Sequence, residues 1–304
     1  MRPERRSVRN ARDRAGSRAL LVALAGLMAG LALFFVGGLL LQAKVTPVAS
    51  TTGTPLESPP TTTSPPTTTP VPSASATGAA EAPATTPTET ALAAPAGSVV
   101  CIDAGHQAHA NDSLEPVGPG ATERKPKVSS GTAGVSTRTH ESVVNLKVAM
   151  KLRAELEARG VKVIMVRESE KVDISNSERA GIANRAKADL FIRLHCDGST
   201  DRSRTGLSTL IPARNKWTAP IVVASKASGK VIHSAVVAAT GAKDRGVVTR
   251  SDLSGFNWAK VPTVLVEMGF MSNATEDKAL NTDAYQTKLA RGLADGVIQY
   301  LWSR

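Results

Sequence analysis

The chain has 304 residues, 37 Lys and Arg against 26 Asp and Glu, and a formal net charge of +11 at pH 7. Its length allows one or two domains. The basic balance suits an anionic surface such as a cell wall or lipid headgroups; the topology below and the lack of any nucleic-acid motif argue against nucleic acid, the rival partner.

The composition is uneven along the chain. Residues 1–18 form a basic tail with seven arginines and two acids. Ala19 to Leu41 then carries no charge over 23 residues, about 34 Å as a helix, enough to cross a hydrocarbon core of about 30 Å. A transmembrane helix is predicted over 19–43, because a cleavable signal peptide has a shorter apolar core and a clear cleavage site; cleavage would make the chain secreted. The arginine-rich end stays cytoplasmic, which puts the rest outside the cell membrane. Residues 44–97 hold eleven of the eighteen prolines among Thr, Ser and Ala, with no aromatic residue. Such a stretch buries too little apolar surface to offset the entropy of ordering, and reads as a disordered spacer.

Residues 98–304 carry a globular pattern of one α/β domain. Val99–Ile102 is a short buried strand ending in Asp-Ala-Gly-His. A polar stretch of 34 residues separates His106 from Glu141, either a lid or substrate cradle or a passive loop. Glu141 opens a helix with Val144, Val148, Leu152 and Leu156 at four-residue spacing, and Gly160 fits its end. Residues 161–166 form a strand, 175–188 a helix capped by Ser175 or Ser177, and 189–196 a strand ending in a histidine. A strand at 206–212, a helix at 219–240, a strand at 261–270 containing Glu267 and a closing helix at 283–302 follow. The alternation implies a single domain with a mostly parallel central sheet flanked by helices, and a site outside the carboxyl ends of the strands.

That rule ranks the polar residues. His106 and His195 follow strands, Glu267 belongs to a late one, and Glu141 starts the helix returning from the long loop. Two histidines and a carboxylate with an open position form a known catalytic zinc set, and a further carboxylate serves as proton carrier. Singly, each has a structural explanation: a turn residue, a strand-end hydrogen bond, an acid complementing a helix dipole. His109 and His140 compete as ligands but end no strand, and His233, in a helix of small residues, is expected at the surface. Cys101 and Cys196 are compatible with a disulfide or with two buried thiols.

The blocks "IDAGHQ", "HESVVNLKVAMKLRAELEARGVKVIMVRE", "SERAGIANRAKADLFIRLHCDGS" and "VPTVLVEMGFMSNATEDKAL" resemble, in order and over nearly all of 98–304, the zinc-dependent N-acetylmuramoyl-L-alanine amidases of the type-3 family. The resemblance implies an α/β fold, one Zn2+ held by His106, Glu141 and His195, and Glu267 as catalytic acid/base. It implies a peptidoglycan substrate cut between N-acetylmuramic acid and the L-alanine of the stem peptide. A zinc peptidase acting on stem peptides and a non-catalytic wall-binding module or activator are the alternatives. Arg179 and Asn184 match the helix block and read as structural. Gln107 stands where glycine is common, Asp197 where asparagine is common, and the stretch after His106 is long; substrate fit is where these departures bear.

Overall fold

A computed structural model describes residues 92–304. The basic tail, the predicted span 19–43 and all but the last six residues of the predicted spacer 44–97 lie outside the described residues. Among those described, no helix is long and apolar enough to cross a membrane. Residues 92–97 lie against the domain: Ala94 N donates to Arg159 O at 2.8 Å, and Trp302 Nε1 donates to Ala93 O at 2.9 Å.

The elements are β1 (Val99–Ala104), β2 (Asn111–Pro116), β3 (Arg124–Val128), α1 (Glu141–Glu157), β4 (Lys162–Met165), α2 (Asn176–Arg185), β5 (Leu190–Asp197), β6 (Leu207–Pro212), α3 (Val222–Thr240), β7 (Asp244–Arg250), α4 (Ser254–Trp258), β8 (Thr263–Phe270), α5 (Ala274–Leu280) and α6 (Asp283–Trp302). The six-stranded sheet has the order β4-β1-β5-β8-β6-β7. β4, β1, β5 and β8 are mutually parallel, whereas β6 runs antiparallel to β8 and pairs parallel with β7. The mostly parallel, helix-flanked sheet expected from the alternation is thus present, with two reversed strands at one side.

Helix α1 forms because its apolar residues recur on one stripe: Val144, Val148, Leu152 and Leu156 are all fully buried, each adding about 1.5–3 kcal/mol over an exposed position. Gly160, at φ 82°, reverses the chain beyond it. Ser175, not Ser177, caps α2: its Oγ accepts from Glu178 N at 3.2 Å while Ser175 N donates to Glu178 Oε2 at 2.8 Å.

The sheet buries both faces. Ile102, Ile192, Leu194 and Val266 point into the core shared with α1, α3 and α6, and Cys101 and Phe191 into that under α2. Because side chains alternate along a strand, Cys101 and Cys196 fall on opposite faces; both are free and buried, which settles the alternative in favour of thiols.

The long stretch after His106 is not irregular throughout. Its β2–β3 hairpin is antiparallel and docks on the α2–α4 side: Trp258 Nε1 donates to Pro116 O at 2.8 Å and Asn257 Nδ2 to Val117 O at 3.0 Å. His233 corrects the expectation of a surface residue. It is buried, its Nδ1 3.1 Å from Thr209 Oγ1 and its Nε2 2.8 Å from Asp244 Oδ1, because α3's small residues let it pack close to β6 and α6.

Candidate metal centre and active site

Three of the four residues singled out from the sequence meet at the carboxyl ends of β1 and β5 and the start of α1. His106 Nε2 lies 3.1 Å from Glu141 Oε1, His195 Nδ1 lies 3.1 Å from the same oxygen, and the two ring nitrogens are 3.1 Å apart. Four ligands at about 2.0–2.1 Å around a tetrahedral ion stand about 3.4 Å from one another. The observed triangle is close to one face of that tetrahedron. The donor set, two imidazoles and a carboxylate, is of the type that zinc takes.

The surroundings fix each donor. His106 holds a left-handed backbone at φ 60°, a conformation that costs a non-glycine residue and survives where neighbours impose it. Arg179 Nη2 donates to its carbonyl at 3.0 Å, and the His106 Nδ1 donates to Ser129 O at 2.8 Å. A carbonyl can only accept, so that contact puts the ring proton on Nδ1 and leaves the Nε2 lone pair directed at the triangle. Glu141 Oε2 accepts from Thr132 N at 2.9 Å, and Oε1 from Cys196 N at 3.0 Å and Asn145 Nδ2 at 3.2 Å. Burial opposes ionisation of Glu141, but hydrogen bonds and charge from His106 and His195 outweigh it and hold the carboxyl well below the usual range. Burial, with the neighbouring His106, pushes His195 down to about 4, so the imidazole is neutral and able to ligate at pH 7. Space is equally specified. A Cβ on Gly105 would sit 2.3 Å from the His195 ring, and one on Gly131 would sit 2.7 Å from Glu141 Oε2.

Glu267 joins this group from β8, paired in register with His195. It lines a cavity of about 280 Å³ with His106, His195, Arg193 and Arg250. Its Oε2 is buried and has no hydrogen-bond partner; His195 Nε2 is the other such atom among the described residues. Burial, reinforced by the Glu141 and Asp197 carboxylates, pushes its acid well above the ordinary value. A carboxyl so placed binds a proton more tightly than an ordinary one, which suits a group that takes up a proton and hands it on.

The family model described as N-acetylmuramoyl-L-alanine amidase matches residues 100–299. The chain belongs to the type-3 N-acetylmuramoyl-L-alanine amidase family. It is 31% identical over 216 residues to the N-acetylmuramoyl-L-alanine amidase Rv3717 of Mycobacterium tuberculosis, covering 68% of this chain and 87% of that protein. It is also 31% identical to the amidase LytC of Bacillus subtilis over 160 residues, 53% of this chain but only 31% of LytC's length. Among solved structures, the amidase Ami1 of Mycobacterium smegmatis superposes with a TM-score of 0.62 at 26% identity, covering 69% of this chain and 99% of its own. The catalytic domain of the Bacillus (Paenibacillus) polymyxa amidase CwlV gives 0.55 at 28% identity, covering 68% and 99%. Membership makes the chain a hydrolase of the amidase class.

The competing histidines take no part in the triangle: His109 and His140 are exposed, and His140 is the N-cap of α1. Arg179 supports the site from beneath, donating to Asp103 Oδ1 at 2.7 Å and to Gln107 Oε1 at 2.9 Å, while Asn184 ties α2 to the end of α4 through Trp258 O at 2.9 Å. Asp103, Ser129, Arg193, Arg250 and Asp277 had not been singled out from the sequence as site residues. The alternation of β5 gave one available signal: Arg193 shares the His195 face.

Proposed function

We propose that this chain is a zinc-dependent peptidoglycan amidase, with His106, Glu141 and His195 as the metal ligands and Glu267 as the acid/base, cutting the bond between N-acetylmuramic acid and the L-alanine of the stem peptide. The observation that carries this reading is the triangle of three donor atoms at 3.1 Å with the unpartnered Glu267 carboxyl on the same cavity. A bound Zn2+ would polarise the scissile carbonyl and acidify a water molecule at neutral pH. Glu267 accepts the proton of the attacking water and returns it to the departing alanine nitrogen, the double use to which an elevated carboxyl is suited. Arg179 and Ser129 keep the His106 ring and backbone in place, and Thr132, Cys196 and Asn145 keep both Glu141 oxygens in place.

The proposal extends to placement. The uncharged run 19–43 anchors the chain in the cell membrane by one pass with the N-terminus in the cytoplasm, and the proline-rich spacer carries the domain to the wall. The deciding experiment incubates the purified chain with peptidoglycan, with and without a chelator, and reads the products by mass spectrometry. Sugar strands freed of intact stem peptides, one zinc per chain, and activity lost on chelation and regained with zinc support the reading. Peptide fragments with the lactyl-alanine bond intact assign a peptidase instead, and zinc binding without wall cleavage assigns a binding module.

A further inference from the structure

We infer that the cavity beside the three-donor centre is a cationic subsite in which Arg193 and Arg250 read carboxylates on the peptide arm of the substrate. The inference rests on the amidase reading above and adds to it a substrate class: stem peptides whose carboxylates are free rather than amidated.

The sheet register lays the cavity out. Side chains of one face alternate every second residue, so Arg193 lies under His195 and Leu265 under Glu267, with Leu210 beside them on β6. One such step along a strand is about 7 Å, and crossing from β5 to β7 spans three strand spacings, about 14 Å. Arg250, the last residue of β7, therefore lines the far part of the cavity and Arg193 the near part. Leu210, Leu253 and Leu265 supply the apolar wall between them, which weakens water's competition for charged hydrogen bonds.

Charge supplies the second argument. Asp103 is fully buried and shared by two guanidiniums: Arg179 Nη1 donates to Oδ1 at 2.7 Å and Arg193 Nε to Oδ2 at 2.8 Å. This buried group keeps one positive charge in excess, and an uncompensated buried charge is costly. Arg193 Nη2 donates to Asn176 Oδ1 at 2.8 Å; among the described residues Nη1 has no acceptor. A Cβ on Gly255 would come within 2.2 Å of Nη1, so the guanidinium is closely packed, with Arg193 only 4% exposed. Arg250 is held differently. Its Nε and Nη2 clasp Asp252 at 2.8 Å each, but the pair is 40% and 47% exposed. Exposed pairs contribute about 0–1 kcal/mol, so an incoming carboxylate exchanges for, or joins, Asp252 at little cost.

The test compares an N-acetylmuramoyl tripeptide with free carboxylates and the same tripeptide with its carboxylates amidated, using the full zinc-loaded chain. One lost hydrogen bond between charged partners is worth about tenfold or more. Wild type is expected to favour the free acid by at least that factor in kcat/KM, through KM. Arg250→Gln should cut the ratio severalfold with an unchanged melting temperature, Arg193 retaining the rest, and Arg250→Lys should restore part of it. No preference in wild type, or an Arg250→Gln defect equal on both tripeptides, overturns the inference. If wild type cleaves neither tripeptide, the amidase reading fails separately. Calorimetric binding of the two then decides the subsite: tighter binding of the free acid, weakened in Arg250→Gln, supports it, and equal binding overturns it.

Discussion

His195 and Glu267 stand opposite one another on adjacent parallel strands, in register, and each keeps one buried side-chain atom without a hydrogen-bond partner. Folding does not leave such atoms idle without cost; here they face the cavity where a substrate is read to bind. Glu267→Gln keeps the shape and removes the proposed proton carrier. Turnover should fall by about 10²–10⁴-fold, the usual contribution of a placed acid or base, while zinc content measured by metal analysis stays at the wild-type value. Loss of metal together with activity would place Glu267 among the ligands instead.

The same substitution has a pH signature. Burial raises the Glu267 acid above its unfolded value, with help from Glu141 and Asp197. Between the ordinary carboxylate pKa and that raised value, the folded chain holds a proton that the unfolded chain has released. Stability therefore falls as pH rises through that window. In metal-free protein, Glu267→Gln should melt above wild type at pH 8, with the difference vanishing towards pH 4. A melting offset that is the same at every pH from 4 to 8 would refute this account of Glu267.

Asp277 on α5 is a positioning residue for the segment that delivers Glu141. Its Oδ2 accepts from Ser136 N at 2.7 Å and Thr137 N at 2.8 Å, and its Oδ1 accepts from Thr137 Oγ1 at 2.7 Å. The loop so held closes on itself, with Glu141 N donating to Thr132 O at 2.9 Å. Asp277→Ala should weaken zinc binding about 10–100-fold, as losing a support behind a ligand does, with a smaller change in kcat at saturating zinc. Competition with a chromophoric chelator measures it, and unchanged affinity removes Asp277 from the centre.

The parts legible in the sequence were those governed by periodicity and strand ends. His106 and His195 stood out because each follows an apolar run, and Glu141 because a four-residue apolar repeat starts beside it. The β2–β3 hairpin was not legible: Arg124–Val128 reads Arg-Lys-Pro-Lys-Val with no alternation, and distant indole and amide donors pin the hairpin. Arg193 was hidden inside an apolar strand whose partner, Asp103, is 90 positions away. His233 misled because small residues around it signal close packing as readily as exposure; a Cβ on Gly296 would lie 2.6 Å from Ile232 Cα, so α3 and α6 are nearly in backbone contact.

Asp103 is the shared counter-charge of Arg179 and Arg193 in the floor of the centre, and its acid is held well below the usual range: burial opposes this, and Arg179 and Arg193 outweigh it. Asp103→Asn leaves two buried guanidiniums facing one another without a counter-charge. The expected loss is about 3–5 kcal/mol, the cost of removing one partner from a buried ion pair, read by denaturant unfolding at pH 7. A group with a depressed pKa stabilises above its unfolded value and loses that contribution as pH falls through its folded one. The wild type's advantage over Asp103→Asn should therefore persist down to about pH 4, the ordinary aspartate value, and shrink only in stronger acid.

The hairpin's contacts predict a fixed wall rather than a moving lid. Besides the Trp258 and Asn257 bonds, Trp217 Nε1 donates to Pro119 O at 2.9 Å and Asn176 Nδ2 to Lys127 O at 2.7 Å. The strand end then hands Ser129 O to the His106 ring at 2.8 Å, so the wall and a predicted ligand move together or not at all. Hydrogen exchange should find the backbone amides paired between β2 and β3 protected in the free chain, and no more protected when a substrate analogue binds. Asn257→Ala frees Val117 O within a buried contact and should cost about 1–2 kcal/mol, raising exchange in β2 and β3 before the central sheet. Rapid exchange of those amides in wild type that slows on ligand binding would restore the lid, because a segment that closes over substrate must spend part of its time open.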